Sequence, residues 1–147
     1  MSGYLAIDPG DTSGYAIFDK EGKVVDTGQV SGLDGMHTFL FESLQELPDL
    51  VIIEEFVLYK KKALQQSGSK MVTSQIIGVI KSFCAVKSIK YVEQRSDVKP
   101  IAQMWSGVKP KGSHSQSHWV DAYNHGIYYL VRNKILPNPA IARMKNG

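Results

Sequence analysis

Apolar residues open the chain in short, strand-like patches. Residues 4–8 form one apolar run, and residues 14–19 and 23–30 alternate loosely around Lys20-Glu21-Gly22, a hairpin-turn signal. A three-strand antiparallel meander is expected. Asp34 is placed to cap a helix over residues 35–46, with Met36, Phe39, Leu40, Leu44 and Leu47 as its apolar stripe and Pro48 as its stop. Leu50-Val51-Ile52-Ile53 is then a continuous run of the kind found in buried strands, and it ends in Glu54-Glu55.

Residues 59–69 are polar and basic, a loop or frayed helix start. A helix is predicted over 70–87, where Val72, Ile76, Val79, Ile80, Phe83 and Val86 share one stripe that Ile77 and Cys84 widen. So broad an arc suits packing on a sheet and also on a partner. Ile89 to Val92 reads as a fifth strand, 97–106 as a short helix, 107–117 as a loop and 116–133 as the last helix. The order βββαβαβα calls for an α/β domain. Its mixed five-stranded sheet joins the meander to two parallel strands, with helices on both faces. One domain over residues 1–147 is expected, with a loosely ordered Pro-Asn-Pro tail from about 137 to 147.

Composition adds little to this until the charge is divided along the chain. No window approaches the eighteen or so apolar residues of a membrane span. The N-terminus also lacks the basic and apolar blocks of a signal peptide, so a cytoplasmic protein without membrane contact is expected. The lone Cys84 sits in an apolar helical pattern and reads as a reduced core residue. Residues 1–55 hold 2 Lys/Arg against 11 Asp/Glu, residues 56–112 hold 11 against 2, and residues 113–147 hold 4 against 1. That basic middle suggests a surface for a polyanion, with a merely solvated lysine-rich face as the bland alternative.

Two acidic residues stand out because each closes an apolar strand. Asp8 ends the first and Glu54 the fourth, where a partly buried carboxylate is costly unless a cation or hydrogen bonds satisfy it. A turn-capping or rim-exposed role for each remains open. On the last helix, a wheel places His118, Asp121, His125 and Arg132 on one side, opposite Trp119, Tyr123, Gly126, Ile127, Leu130 and Val131. His118 and Asp121 at i and i+3 can therefore point at one spot, and oxygen-plus-imidazole ligation suits Mg²⁺ or Mn²⁺.

Four features in this order carry a resemblance. They are Asp8-Pro-Gly with Gly14 following, Glu54 after its apolar run, the Ser74-Gln75-Ile76-Ile77-Gly78 opening of the long helix, and Arg95-x-x-x-Lys99 ahead of the final His118-x-x-Asp121-Ala122. Over nearly its whole length the chain resembles the RuvC-type Holliday-junction resolvases of the RNase H-like superfamily. The resemblance implies an RNase H-like fold with Asp8, Glu54, His118 and Asp121 as catalytic metal ligands. Many members carry a carboxylate where His118 stands. Glu54 is preferred over Glu55 because strand alternation sends the two to opposite faces; Asp11, in the turn, is read as structural.

The resemblance also implies two Mg²⁺ or Mn²⁺ ions clamping a scissile phosphate. The substrate would be a four-way DNA junction nicked symmetrically by a homodimer, with a 5′-phosphate and a 3′-hydroxyl as the product ends. The dimer seam is expected along helix 70–87. Lys60, Lys61, Lys62, Lys70, Lys99, Lys109 and Lys111 are the expected DNA contacts, and Phe56 or Tyr59 the expected wedge against junction bases. Three rivals remain: a ribonuclease H-like nuclease for RNA–DNA hybrids or other branched DNA, a silent DNA-binding module, and an actin-like ATPase. The missing second lobe speaks against the last.

Overall fold

In a computed structural model that describes residues 3–56, 67–110 and 118–139, five strands form one sheet. The strands are β1 (Tyr4–Asp8), β2 (Thr12–Phe18), β3 (Val24–Ser31), β4 (Leu50–Glu54) and β5 (Lys90–Gln94), in the spatial order β3-β2-β1-β4-β5. The first three make the antiparallel meander. β4 pairs parallel with β1 and β5 parallel with β4, so the mixed sheet is the expected one.

The helices are α1 (Gly32–Thr38), α2 (Ser67–Lys87), α3 (Lys99–Ser106) and α4 (His118–Arg132), and they take up both faces because the central strands are apolar on both. Successive strand residues point to opposite sides. Leu5, Ile7, Val51 and Ile53 therefore face Met36 and Leu40 with Ile76, Ile80 and Phe83 of α2. Ala6, Leu50 and Ile52 face Ala122, Ile127 and Leu130 of α4. Each fully buried Leu, Ile or Phe in these layers contributes roughly 1.5–3 kcal/mol of transfer free energy.

Several expectations are corrected here. The helix placed at 35–46 starts earlier, directly off β3: Gly32 takes φ +71 and its N–H donates to the Asp11 carbonyl. Asp34 lies in its first turn, and the cap residue is Ser31. The helix also stops earlier, passing into a π-helical turn over Phe39–Ser43. The extra residue in that turn lets Phe39 and Leu40 reach the core while Phe41 meets Phe83 edge-on. Val86, assigned to the packing stripe of α2, is 65% exposed. On α4 the two predicted faces do not separate: Val120, Asn124, His125, Gly126 and Ile127 are all buried, so the helix is enclosed on most of its circumference.

Cys84 is buried, and burial pushes its thiol up to about 11, which keeps it unreactive. No helix among the described residues is long and apolar enough to cross a membrane.

Candidate active site

Strand parity decides where the charges go. Asp8 shares its side of β1 with Ala6, and Glu54 shares its side of β4 with Leu50 and Ile52, so both carboxylates emerge on the α4 face. β1 and β4 run parallel as neighbours, and both carboxylates therefore stand at the same, C-terminal rim of the sheet. Glu55 takes the other parity and is exposed. The α4 backbone comes down onto the rim at Gly14, the register partner of Asp8. A Cβ at Gly14 would lie 2.0 Å from the His118 carbonyl oxygen, so only glycine permits that approach.

The resulting cluster is tightly coupled. Asp8 is 8% exposed and hydrogen-bonds to Glu54. Desolvation, followed by the Glu54 contact and the charges of Glu54 and Asp121, pushes the Asp8 carboxyl up to about 10. Two carboxylates this close in a dry site cannot both stay ionised, so Asp8 holds the proton and donates it.

Burial alone would raise Glu54 too. The close approach of His125, Asp8 and Lys99 outweighs it and holds Glu54 below the usual carboxylate range. Lys99 Nζ lies 2.7 Å from Glu54 Oε1 and 3.6 Å from Asp121 Oδ2. Burial lowers the Lys99 ammonium pKa, but its acidic neighbours more than compensate, and the net shift is upward. His125, wholly buried, sets Nε2 3.2 Å from Glu54 Oε1.

This donor set fits a hard divalent cation in chemistry. Glu54 Oε1 is buried and, although Lys99 and His125 are within reach, neither is aligned as a hydrogen-bond donor, so the oxygen has unused acceptor capacity. Asp8, Glu54 and Asp121 supply oxygen ligands of the kind Mg²⁺ and Mn²⁺ prefer. Among the described residues, no three His, Cys, Asp or Glu side chains are already set around a single point as a cage. Instead a proton on Asp8 and the ammonium of Lys99 balance the negative charge, and an arriving ion would replace both.

The remaining predicted residues fall in different places. The His118 backbone N–H donates to Gln29 Oε1 at 3.1 Å, and its half-buried ring makes no ion pair with Asp8, Glu54 or Asp121 among the described residues. Lys99, expected on DNA, is engaged within the acidic cluster. Lys109 is exposed, whereas Phe56 is partly buried against the core on the α2 side rather than presented to a ligand. Tyr59, Lys60, Lys61, Lys62 and Lys111 lie outside the described residues, as does the side chain of Lys70. Of the two polar residues behind Glu54, sequence reasoning missed Gln94 and set His125 on the His118–Asp121 side of the last helix without giving it a role. The register pairing of Gln94 with Glu54 across two parallel strands is the signal that would have found the first.

No family model matches the sequence, and no curated protein matches it either. Solved structures do. Thermus thermophilus RuvC in complex with Holliday junction substrate superimposes with a TM-score of 0.65 at 15% identity, over 90% of this chain and 95% of that one. The fold is that of RuvC. A second Thermus thermophilus RuvC structure gives a TM-score of 0.62 at 16% identity, over 90% and 96% of the two chains. The likeness covers 90% of this chain, and the mixed five-stranded sheet with flanking helices is the architecture expected from the motifs.

Proposed function

We propose that this chain is a divalent-metal-dependent endonuclease that nicks four-way DNA junctions. The observation that carries the reading is the carboxylate cluster Asp8–Glu54–Asp121, gathered at one sheet rim of a RuvC fold and holding a proton where a cation fits. Asp8, Glu54 and Asp121, completed by His118, would hold the ions. Once bound, two such ions supply a water nucleophile and stabilise the leaving oxygen of an in-line displacement at phosphorus. The protein's own part is positional. β1 and β4 fix two ligands on rigid backbone, and His125 and Lys99 hold Glu54 ionised. The Lys99 ammonium, between Glu54 and Asp121, is placed to meet an incoming phosphate as the acidic cluster is neutralised. Two copies facing each other across α2 would nick opposite strands of one junction.

The test is cleavage of a synthetic four-way junction with Mg²⁺ or Mn²⁺, beside linear duplex and RNA–DNA hybrid. Asp8→Asn and Asp121→Asn are expected to abolish nicking while junction binding persists; substantial nicking by either purified variant refutes the site. A second reading, a silent junction-binding module, is favoured by one observation: the Lys99 ammonium sits between Glu54 and Asp121, where it neutralises the carboxylates. Junction binding with no nicking at any Mg²⁺ or Mn²⁺ concentration would establish it.

A further inference from the structure

Behind Glu54 lies a pair of polar residues whose mutual contact the nuclease reading leaves unexplained. Gln94 closes β5 directly beside Glu54, and its amide Nε2 is 3.0 Å from the backbone carbonyl oxygen of His125 and 3.1 Å from that residue's ring Nδ1. A carbonyl oxygen only accepts, so it is the NH₂ end of the Gln94 amide that faces His125. That group has two hydrogens, one for each contact, and the second can be taken up only if Nδ1 is bare. The imidazole proton then sits on Nε2. Among the described residues, the wholly buried Nε2 is paired with Glu54 Oε1 at 3.2 Å.

We infer that Gln94 and His125 form a positioning relay: the Gln94 amide locks His125 as the Nε2–H tautomer, and that N–H orients Glu54 toward Asp8 for cation binding. The same amide anchors the His125 backbone carbonyl, tying the middle of α4 to the end of β5. The ring therefore cannot flip without losing its hydrogen bond from Gln94 and its approach to Glu54. The contact to Glu54 lies within hydrogen-bond distance but off alignment. Ligand carboxylates held from behind in this way lose roughly 10–100-fold in metal affinity when the supporting partner is removed.

The relay rests on the metal-site reading for its purpose but not for its geometry, and the experiment separates the two. In metal-free protein labelled with ¹⁵N-histidine, long-range ¹H–¹⁵N correlation should show His125 with a protonated Nε2 and a bare Nδ1. A protonated Nδ1, or two tautomers in fast exchange, overturns the lock. Gln94→Leu removes the amide at a half-buried position and should leave the circular dichroism spectrum unchanged. It should loosen the tautomer preference and weaken Mn²⁺ binding about 10–100-fold by calorimetry without DNA. Unchanged Mn²⁺ affinity in folded Gln94→Leu overturns the positioning role. His125→Asn is the harsher variant and should weaken Mn²⁺ at least as much; if it fails to fold, Gln94→Leu still decides the matter. Wild-type protein that binds no Mn²⁺ while showing the locked tautomer would sink the metal reading and the relay's role in it, yet leave the hydrogen-bond assignment standing.

Discussion

A carboxyl that keeps its proton to about pH 10 is a poor ligand until a cation takes the proton's place. Asp8 is held in that condition by burial and by the anionic Glu54 beside it, so on the proposed metal-site reading metal binding and proton release would be one event. Near neutral pH, Mn²⁺ binding should release about one proton, and affinity should climb about tenfold per pH unit. Calorimetry in buffers of different ionisation enthalpy reads this directly, and Asp8→Asn should lose the proton release.

The same shift governs stability without metal. The folded Asp8 carboxyl titrates above its ordinary 3.8, so folding takes up a proton between that value and about 10. The Asp8 contribution is therefore full in acid and lost as pH rises, by at most about 1.4 kcal/mol per unit. Glu54 runs the other way: its folded pKa is depressed, so its contribution is present above about 4.5 and lost as pH falls. Denaturant midpoints in EDTA should decline from pH 6 to 9, and Asp8→Asn should flatten the decline; a wild-type midpoint that rises over this range would contradict the protonated Asp8. Both residues were visible in the sequence as charges closing apolar runs. His125 was visible only as a direction, because an imidazole on a helix wheel looks the same whether it faces solvent or a buried carboxylate.

Among the elements, the contact of α4 with β2 does the most to assemble the site. It depends on one missing side chain. Gly14→Ala would drive a methyl into the His118 carbonyl carbon and the Trp119 nitrogen, backbone atoms that cannot step aside as a side-chain tip can. The first turn of α4 must lift, carrying Asp121 away from Lys99 and Asp8. A loss of about 2–4 kcal/mol is expected in urea unfolding, with cleavage falling further than stability alone explains. A fully stable Gly14→Ala protein would show that α4 does not seat there.

The strands were legible because β-branched runs such as Leu50-Val51-Ile52-Ile53 have few alternatives. The π-turn at Phe39–Ser43 was not, since one inserted residue rotates the helix face by about 100° without breaking the apolar count. Val86 was misplaced for a related reason: the wheel gives its direction but not where the sheet beneath it ends.

Across the whole molecule, the charge asymmetry along the chain becomes an asymmetry across the sheet. The acidic half builds β3, β2, β1 and β4, and the basic half adds β5, α2 and α3, so the carboxylate cluster stands near the seam. Some of the basic residues are already engaged: Lys81 with Glu93, Arg95 with Asp97, and Lys99 with Glu54. Lys87, Lys90 and Lys109 are exposed without an ion-pair partner among the described residues and remain for phosphates. Three such contacts alone give a slope of log affinity against log salt near −3, and the Lys60-Lys61-Lys62 run would steepen it. Junction binding measured from 50 to 300 mM KCl tests this, and a flat response removes the basic half from DNA recognition.

On the proposed reading, symmetric nicking would need two sites, and α2 is the expected seam between them. Met71 and Val86 are 62% and 65% exposed, and their spacing places them about 60° apart on one side of the helix. Both side chains would be covered if a second copy docked along this side of the helix. Met71→Glu with Val86→Glu should therefore leave the fold intact, convert a dimer to a monomer in sedimentation, and replace paired nicks by single ones. A double variant that still sediments as a dimer would move the seam away from α2 while leaving the carboxylate site untouched.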